Sequence, residues 1–261
     1  MLGGADPFET AALRGRVLDA WSASPARFRE DANAEEDYAL GGYRDRVVVE
    51  LAQNAADAAA RDAVTGRLLL TLRDGTLEAA NTGAPLDAAG VEALSTLRAS
   101  SKRGPAGAPD GTAGRFGVGF AAVVAVSDAP RICSVTGAVG WSRDATRELV
   151  RQVPALAAEL ATRSEHVPVL RLPFPDDGRP PDGFTTVVTL PLRDADARQL
   201  VERLLAETGP ALLLASFPLG PDRRHVAPGP LAEFLVGQAA AAYAGMLPGL
   251  ARSRGAGSMR G

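Results

Sequence analysis

Lysine is almost absent from this chain. Lys102 is the only one in 261 residues, and arginine supplies the rest of the 28 basic side chains. Cysteine is equally scarce. Cys133 alone can close no intramolecular disulfide and build no cysteine-based zinc cluster, which excludes a disulfide-stapled secreted fold. Aromatic residues make up 5%, too few for a stacking platform on single-stranded nucleic acid. Charge of one sign does not accumulate either. The 28 basic and 31 acidic side chains leave a net charge of −3, which argues against non-specific binding to nucleic acid or to an acidic membrane. The longest apolar run, Ala211–Phe217, falls far short of the ~20 residues that cross a bilayer. The first residues hold Asp6 and Glu9 and no apolar segment, so no signal peptide is expected. A cytoplasmic protein is expected, with neither a membrane nor a nucleic acid as partner.

What is there suits a globular fold. Apolar residues make up 46% and charged residues 23%. The 28 glycines and 19 prolines make the chain loop-rich without reaching a disordered composition. Phe8, Leu13, Val17, Leu18 and Trp21 mark an amphipathic helix that Ser24-Pro25 breaks, with a loose polar stretch after it. A long helix is predicted from Tyr43 to about Asp62. Leu68–Leu72 and Leu77–Ala80 read as strands joined by Asp74-Gly75, a hairpin signal. A helix from Leu86 to Leu97 follows, then a Gly-, Pro- and Ser-rich loop over 98–115. Phe116 to Val126 reads as an apolar helix. Strands are predicted at Arg131–Val135, Val139–Trp141, Pro168–Leu172 and Thr185–Leu190. Helices are predicted at Thr146–Ala161 and Ala195–Glu207. Residues 209–250 read as a C-terminal extension and 251–261 as a disordered tail. The strands are joined by hairpins or long excursions. The order therefore predicts an α+β two-layer sandwich, a mostly antiparallel mixed sheet with helices on one face.

Four segments carry candidate chemistry. In Glu50-Leu-Ala-Gln-Asn54-Ala-Ala-Asp57-Ala58, helical spacing puts Glu50, Asn54 and Asp57 in one stripe beside the apolar stripe of Val47, Leu51 and Ala58. Such a stripe is either a pocket floor or a solvated edge. Gly114-Arg-Phe116-Gly117-Val118-Gly119-Phe120 follows the long loop and opens an apolar helix. That placement lets backbone N–H groups approach a phosphate. Its spacing is not that of a dinucleotide fingerprint, and no P-loop is present. Asn81-Thr-Gly83 ends the second hairpin strand, and Thr185-Thr186 opens a late one; each is ordinary alone.

In this order the four segments resemble the ATP-binding domain shared by heat-shock protein 90 chaperones, DNA gyrase B, MutL and histidine kinases, the Bergerat (GHKL) fold. The likeness is strongest to the heat-shock protein 90 and sacsin-like branch and covers about residues 8–205. ELAQNAADA is similar to that branch's N-box and GRFGVGF to its glycine box. NTGAP sits where the family has Asp-x-Gly-x-Gly, and Thr186-x-Val188-x-Leu190 fits its late strand.

The resemblance implies a domain spanning residues 1–208 that binds ATP with Mg²⁺. Glu50 would be the general base for water attack on the γ-phosphate, and Asn54 would coordinate Mg²⁺. Asn81 would meet the adenine amino group, with Gly83 leaving room for the ring, Thr186 helping through water and Asp57 also in the ATP site. Gly114, Gly117, Val118 and Gly119 would offer backbone N–H groups to the phosphates, with Phe116 and Phe120 also in the ATP site, and Lys102 would contact the phosphates ahead of a lid at 98–115. Two departures stand out: the adenine-reading carboxylate is a neutral Asn81, and the second glycine is Pro85. Residues after about 210 are too few for a following middle domain. The resemblance thus implies further domains, a homodimer or other partners, and slow turnover in isolation. It implies either an ATPase driving a chaperone-like switch or a nucleotide-gated interaction module. A histidine kinase fits less well, because His166 and His225 lie in no phosphoacceptor helix pattern.

Overall fold

The computed structural model describes residues 6–41, 44–96 and 119–208. The chain divides into Met1–Gly209 and Pro210–Gly261, and the second unit lies outside the described residues. So do the expected lid over 98–115, the C-terminal extension and the tail.

Two helices open the fold, α1 (Thr10–Ala23) and α2 (Pro25–Leu40). Pro25 breaks the chain as expected, but the polar stretch after it is helical rather than loose. Proline at the first helical position loses no hydrogen bond there, so it starts α2. Phe28, Ala32 and Glu35 supply its buried face. After a short 3₁₀ turn at Arg44–Arg46 comes α3 (Val47–Arg61). Strands β1 (Leu68–Arg73) and β2 (Thr76–Asn81) pair antiparallel. Asp74 and Gly75 take positive φ values of 48° and 73°, the two-residue primed turn that suits strand twist.

Helix α4 (Ala88–Thr96) follows. Phe120–Ala125 forms a buried 3₁₀ segment rather than the expected longer helix; residues 116–118 lie outside the described set. Then come β3 (Arg131–Ser134) and β4 (Gly137–Gly140). The helix expected over 146–161 is two helices, α5 (Arg143–Arg151) and α6 (Pro154–Thr162). The Ser142 hydroxyl accepts from the Ala145 N–H at 3.2 Å to cap α5, and Pro154 starts α6 as Pro25 starts α2. Strands β5 (Phe174–Asp176) and β6 (Thr186–Pro191) and helix α7 (Ala195–Thr208) complete the described chain.

The predicted strand at Pro168–Leu172 is not formed. The buried Glu35 carboxylate takes the N–H groups of Val169 and Leu170, so they donate to a side chain on α2 and not to a neighbouring strand. A turn covers 170–171, and the strand lies later, at β5.

The sheet order is β1-β2-β6-β3-β4-β5, and every described pairing is antiparallel. The arrangement is α+β, and the expectation of a mixed sheet is not met among these strands. Leu77 and Ala79 of β2, Val188 and Leu190 of β6, Ile132 of β3 and Val139 of β4 share one face. They join the main core with Val47 and Leu51 of α3, Val91 and Leu94 of α4, the 3₁₀ segment and α7. The opposite face carries small residues, Ala80, Cys133, Ala138 and Val187. Gly178 (φ +148°) lies against it, and a Cβ there would come within 2.9 Å of the Cys133 sulfur. Trp21 and Phe28 pack edge to face, 5.1 Å apart, in a second cluster with α5 and α6 residues.

Among the described residues, no helix is long and apolar enough to cross a membrane.

Candidate functional site

The core face of the sheet changes chemistry at one end. Its rows run Leu77–Leu190, then Ala79–Val188–Ile132–Val139, then Asn81–Thr186–Ser134. The last row is polar, and all three residues are buried. The Ser134 and Thr186 hydroxyls lie 3.0 Å apart. Ser134 Oγ also accepts the Leu86 N–H at 3.1 Å, tying the chain after Asn81-Thr-Gly83 to β3. Asn81 Nδ2 donates to the Thr82 carbonyl at 3.1 Å. That fixes the amide's direction, and its oxygen accepts no hydrogen bond among the described residues.

Two glycines bring this region and the 3₁₀ segment onto α3. Gly83 (φ +114°) rests on the α3 backbone at Ala58 so closely that no Cβ fits, and Ala84 N–H donates to the Ala58 carbonyl at 2.9 Å. Both the left-handed φ and the contact require glycine. Eight residues earlier on the same helix, Oε2 of Glu50 lies against Gly119 and would collide with any Cβ there. The rise of a helix separates Ala58 from Glu50 by ~12 Å along the axis, with Asn54 midway.

The predicted stripe on α3 is graded in exposure: Glu50 is buried, Asn54 half-buried and Asp57 exposed. Glu50 sits in the first helical turn, where a carboxylate is favoured by the helix dipole. Its Oε1 accepts from Arg46 Nε at 3.1 Å. Phe120 does not face an open site. Its ring packs 5.7 Å from that of Trp141 in the core.

Thus Glu50, Asn54 and Asp57 share α3, Gly83 and Gly119 abut that helix at Ala58 and Glu50, and Asn81 and Thr186 pair at the adjoining ends of the interior strands β2 and β6. Lys102, Gly114, Phe116, Gly117 and Val118 lie outside the described residues. Ser134 was not singled out by sequence reasoning. A lone serine in Cys-Ser-Val carries no signal until the β3–β6 register sets it beside Thr186. Arg46 was also missed, although its i,i+4 spacing to Glu50 is a readable ion-pair signal.

His166 lies outside any helix or strand. It is half-buried after α6, with Nε2 3.2 Å from Glu36, and burial lowers its pKa against the pull of that carboxylate. Among the described residues no group of three His, Cys, Asp or Glu side chains is placed to hold a metal.

No family model matches the chain, and comparison with the curated proteins gives no match.

Proposed function

We propose that this domain binds ATP with Mg²⁺ and hydrolyses it slowly, as a Bergerat-type domain of the heat-shock protein 90 and sacsin-like branch, driving a chaperone-like conformational switch. The observation that carries the reading is the arrangement along α3. A polar row suited to a base adjoins one end of the helix. A buried carboxylate against a glycine-rich segment stands at the other, with an amide between them.

Each residue has a role in that reading. The Asn81 amide oxygen accepts from the adenine amino group, with Thr186 beside it, while Gly83 closes the following turn onto α3. Because Asn81 is neutral, the contact is weaker than a carboxylate's. Gly119 continues the glycine-rich segment that offers backbone N–H groups to phosphates. Glu50 accepts the proton of the water that attacks the γ-phosphate. Lys102 neutralises phosphate charge.

The oxygen donors suit Mg²⁺ that arrives with the triphosphate. Such an ion needs one or two protein ligands, which the Asn54 amide oxygen can supply, and no dedicated cage of side chains. Bound there, Mg²⁺ would neutralise charge on the phosphate oxygens.

A nucleotide-gated interaction module with little turnover is the second reading. In that reading the Arg46–Glu50 ion pair is a structural contact, whereas the ATPase reading uses the other carboxylate oxygen, Oε2. Single-turnover hydrolysis and a binding titration on Glu50→Ala decide between the two. The ATPase reading expects a rate loss of ~10²–10⁴-fold with binding retained. Equal rates in wild type and variant leave the gated module. Loss of binding as well would make Glu50 structural.

A further inference from the structure

The Glu50 carboxylate is held asymmetrically. Oε1 accepts from Arg46 Nε at 3.1 Å, while Oε2 lies against Gly119. The two contacts come from opposite directions in the chain: Arg46 precedes α3 by one residue, and Gly119 precedes the buried 3₁₀ segment. Arg46 belongs to the 3₁₀ turn Arg44–Arg46, which has its own anchor. Asp45 in that turn pairs with Arg203 of α7 at 2.7 Å. The glutamate side chain is 12% exposed and the Arg46 side chain 35%. A three-bond side chain such as glutamate has several rotamers, and holding one oxygen restricts which way the other faces.

We infer that Arg46 is a positioning residue for hydrolysis: by holding Oε1 it keeps Oε2 of Glu50 turned to Gly119, the oxygen that receives the proton from attacking water. This rests on the ATPase reading above and adds a residue outside its four motifs. Arg46 touches neither nucleotide nor water in this role. It acts through the hydrogen bond from Nε to Oε1.

The point of attachment makes the idea testable. Glutamine carries its side-chain nitrogen on Cδ, the atom that carries Nε in arginine. Arg46→Gln therefore keeps the donor and removes the charge. Arg46→Met keeps the length and removes the donor. Steady-state hydrolysis and an ATP binding titration are measured on the full chain for wild type, both variants and Glu50→Ala. Arg46→Met is expected to lower kcat about tenfold, the scale of one lost hydrogen bond to a charged group, with KM and ATP affinity within about twofold and Arg46→Gln within about threefold of wild-type kcat.

Wild-type kcat in Arg46→Met overturns the inference alone. So does a loss in ATP affinity in place of kcat, or an equal fall in Met and Gln variants. If wild type binds ATP but turns over no faster than Glu50→Ala, the ATPase reading fails and the inference falls with it.

Discussion

Asn81 and Thr186 face each other across β2 and β6, on the side of the sheet that carries the helices. Two rows away on the same strands the facing pair is Leu77 and Leu190. Antiparallel pairing thus sorts one face into apolar rows that hold the core and a polar row beside α3. Residues 105 positions apart in sequence become neighbours because β2 and β6 are adjacent in the sheet. Ser134 completes the row from β3, and its hydroxyl also fixes the chain after Gly83 by accepting the Leu86 N–H.

Gly83→Ala should be strongly destabilising. The backbone φ of +114° and the Ala58 backbone both exclude a Cβ, and α3 cannot retreat without losing its own core contacts. A loss of at least about 2 kcal/mol is expected in urea unfolding. Wild-type stability would mean that the turn can leave α3 without cost.

Gly119→Ala separates function from folding. Gly119 has φ −66° and ψ −42°, a conformation alanine adopts freely, and only the end of the Glu50 side chain stands in the way. The variant should fold, lose hydrolysis and keep adenosine binding, because the polar row is untouched. Hydrolysis at the wild-type rate would contradict the contact's importance.

Glu35 sets a pH dependence unrelated to the candidate site. Burial raises its carboxyl pKa above the ordinary 4.5, against the pull of the Leu170 and Val169 N–H groups and Arg171. Its neutral form is therefore the one that folding favours. The associated stability is complete below the unfolded value and is lost as pH rises through the folded one. Glu35→Gln stays neutral throughout. Urea midpoints measured between about pH 4 and about pH 8 should show wild type losing ground to the variant as pH rises. A constant difference would mean that Glu35 is charged in the fold throughout that range.

Local signals made part of this fold readable. Asp74-Gly75 gave the hairpin because a two-residue turn needs two positive φ values that few residue pairs tolerate. Glu50, Asn54 and Asp57 shared a stripe because helical spacing guarantees it. What stayed hidden depended on distant partners. Pro25 reads as a break yet starts a helix, and the helix read straight through Pro154 in fact stops before it and restarts there, since only the following buried face shows what each proline does. Residues 168–172 look like a strand until Glu35, more than 130 positions away, takes their N–H groups. Ser134 acquires meaning only from the β3–β6 register.

Calorimetric titration with ATP, with and without Mg²⁺, on wild type and Asn54→Ala tests the proposed nucleotide site most directly. Asn54 is half-buried midway between the Gly83 and Gly119 contacts, where its amide oxygen would serve as a ligand to Mg²⁺ arriving with the triphosphate. Wild type should bind ATP more tightly with Mg²⁺, and Asn54→Ala should lose that increment while remaining folded. No ATP binding by wild type, or the same Mg²⁺ dependence in both proteins, would contradict the site.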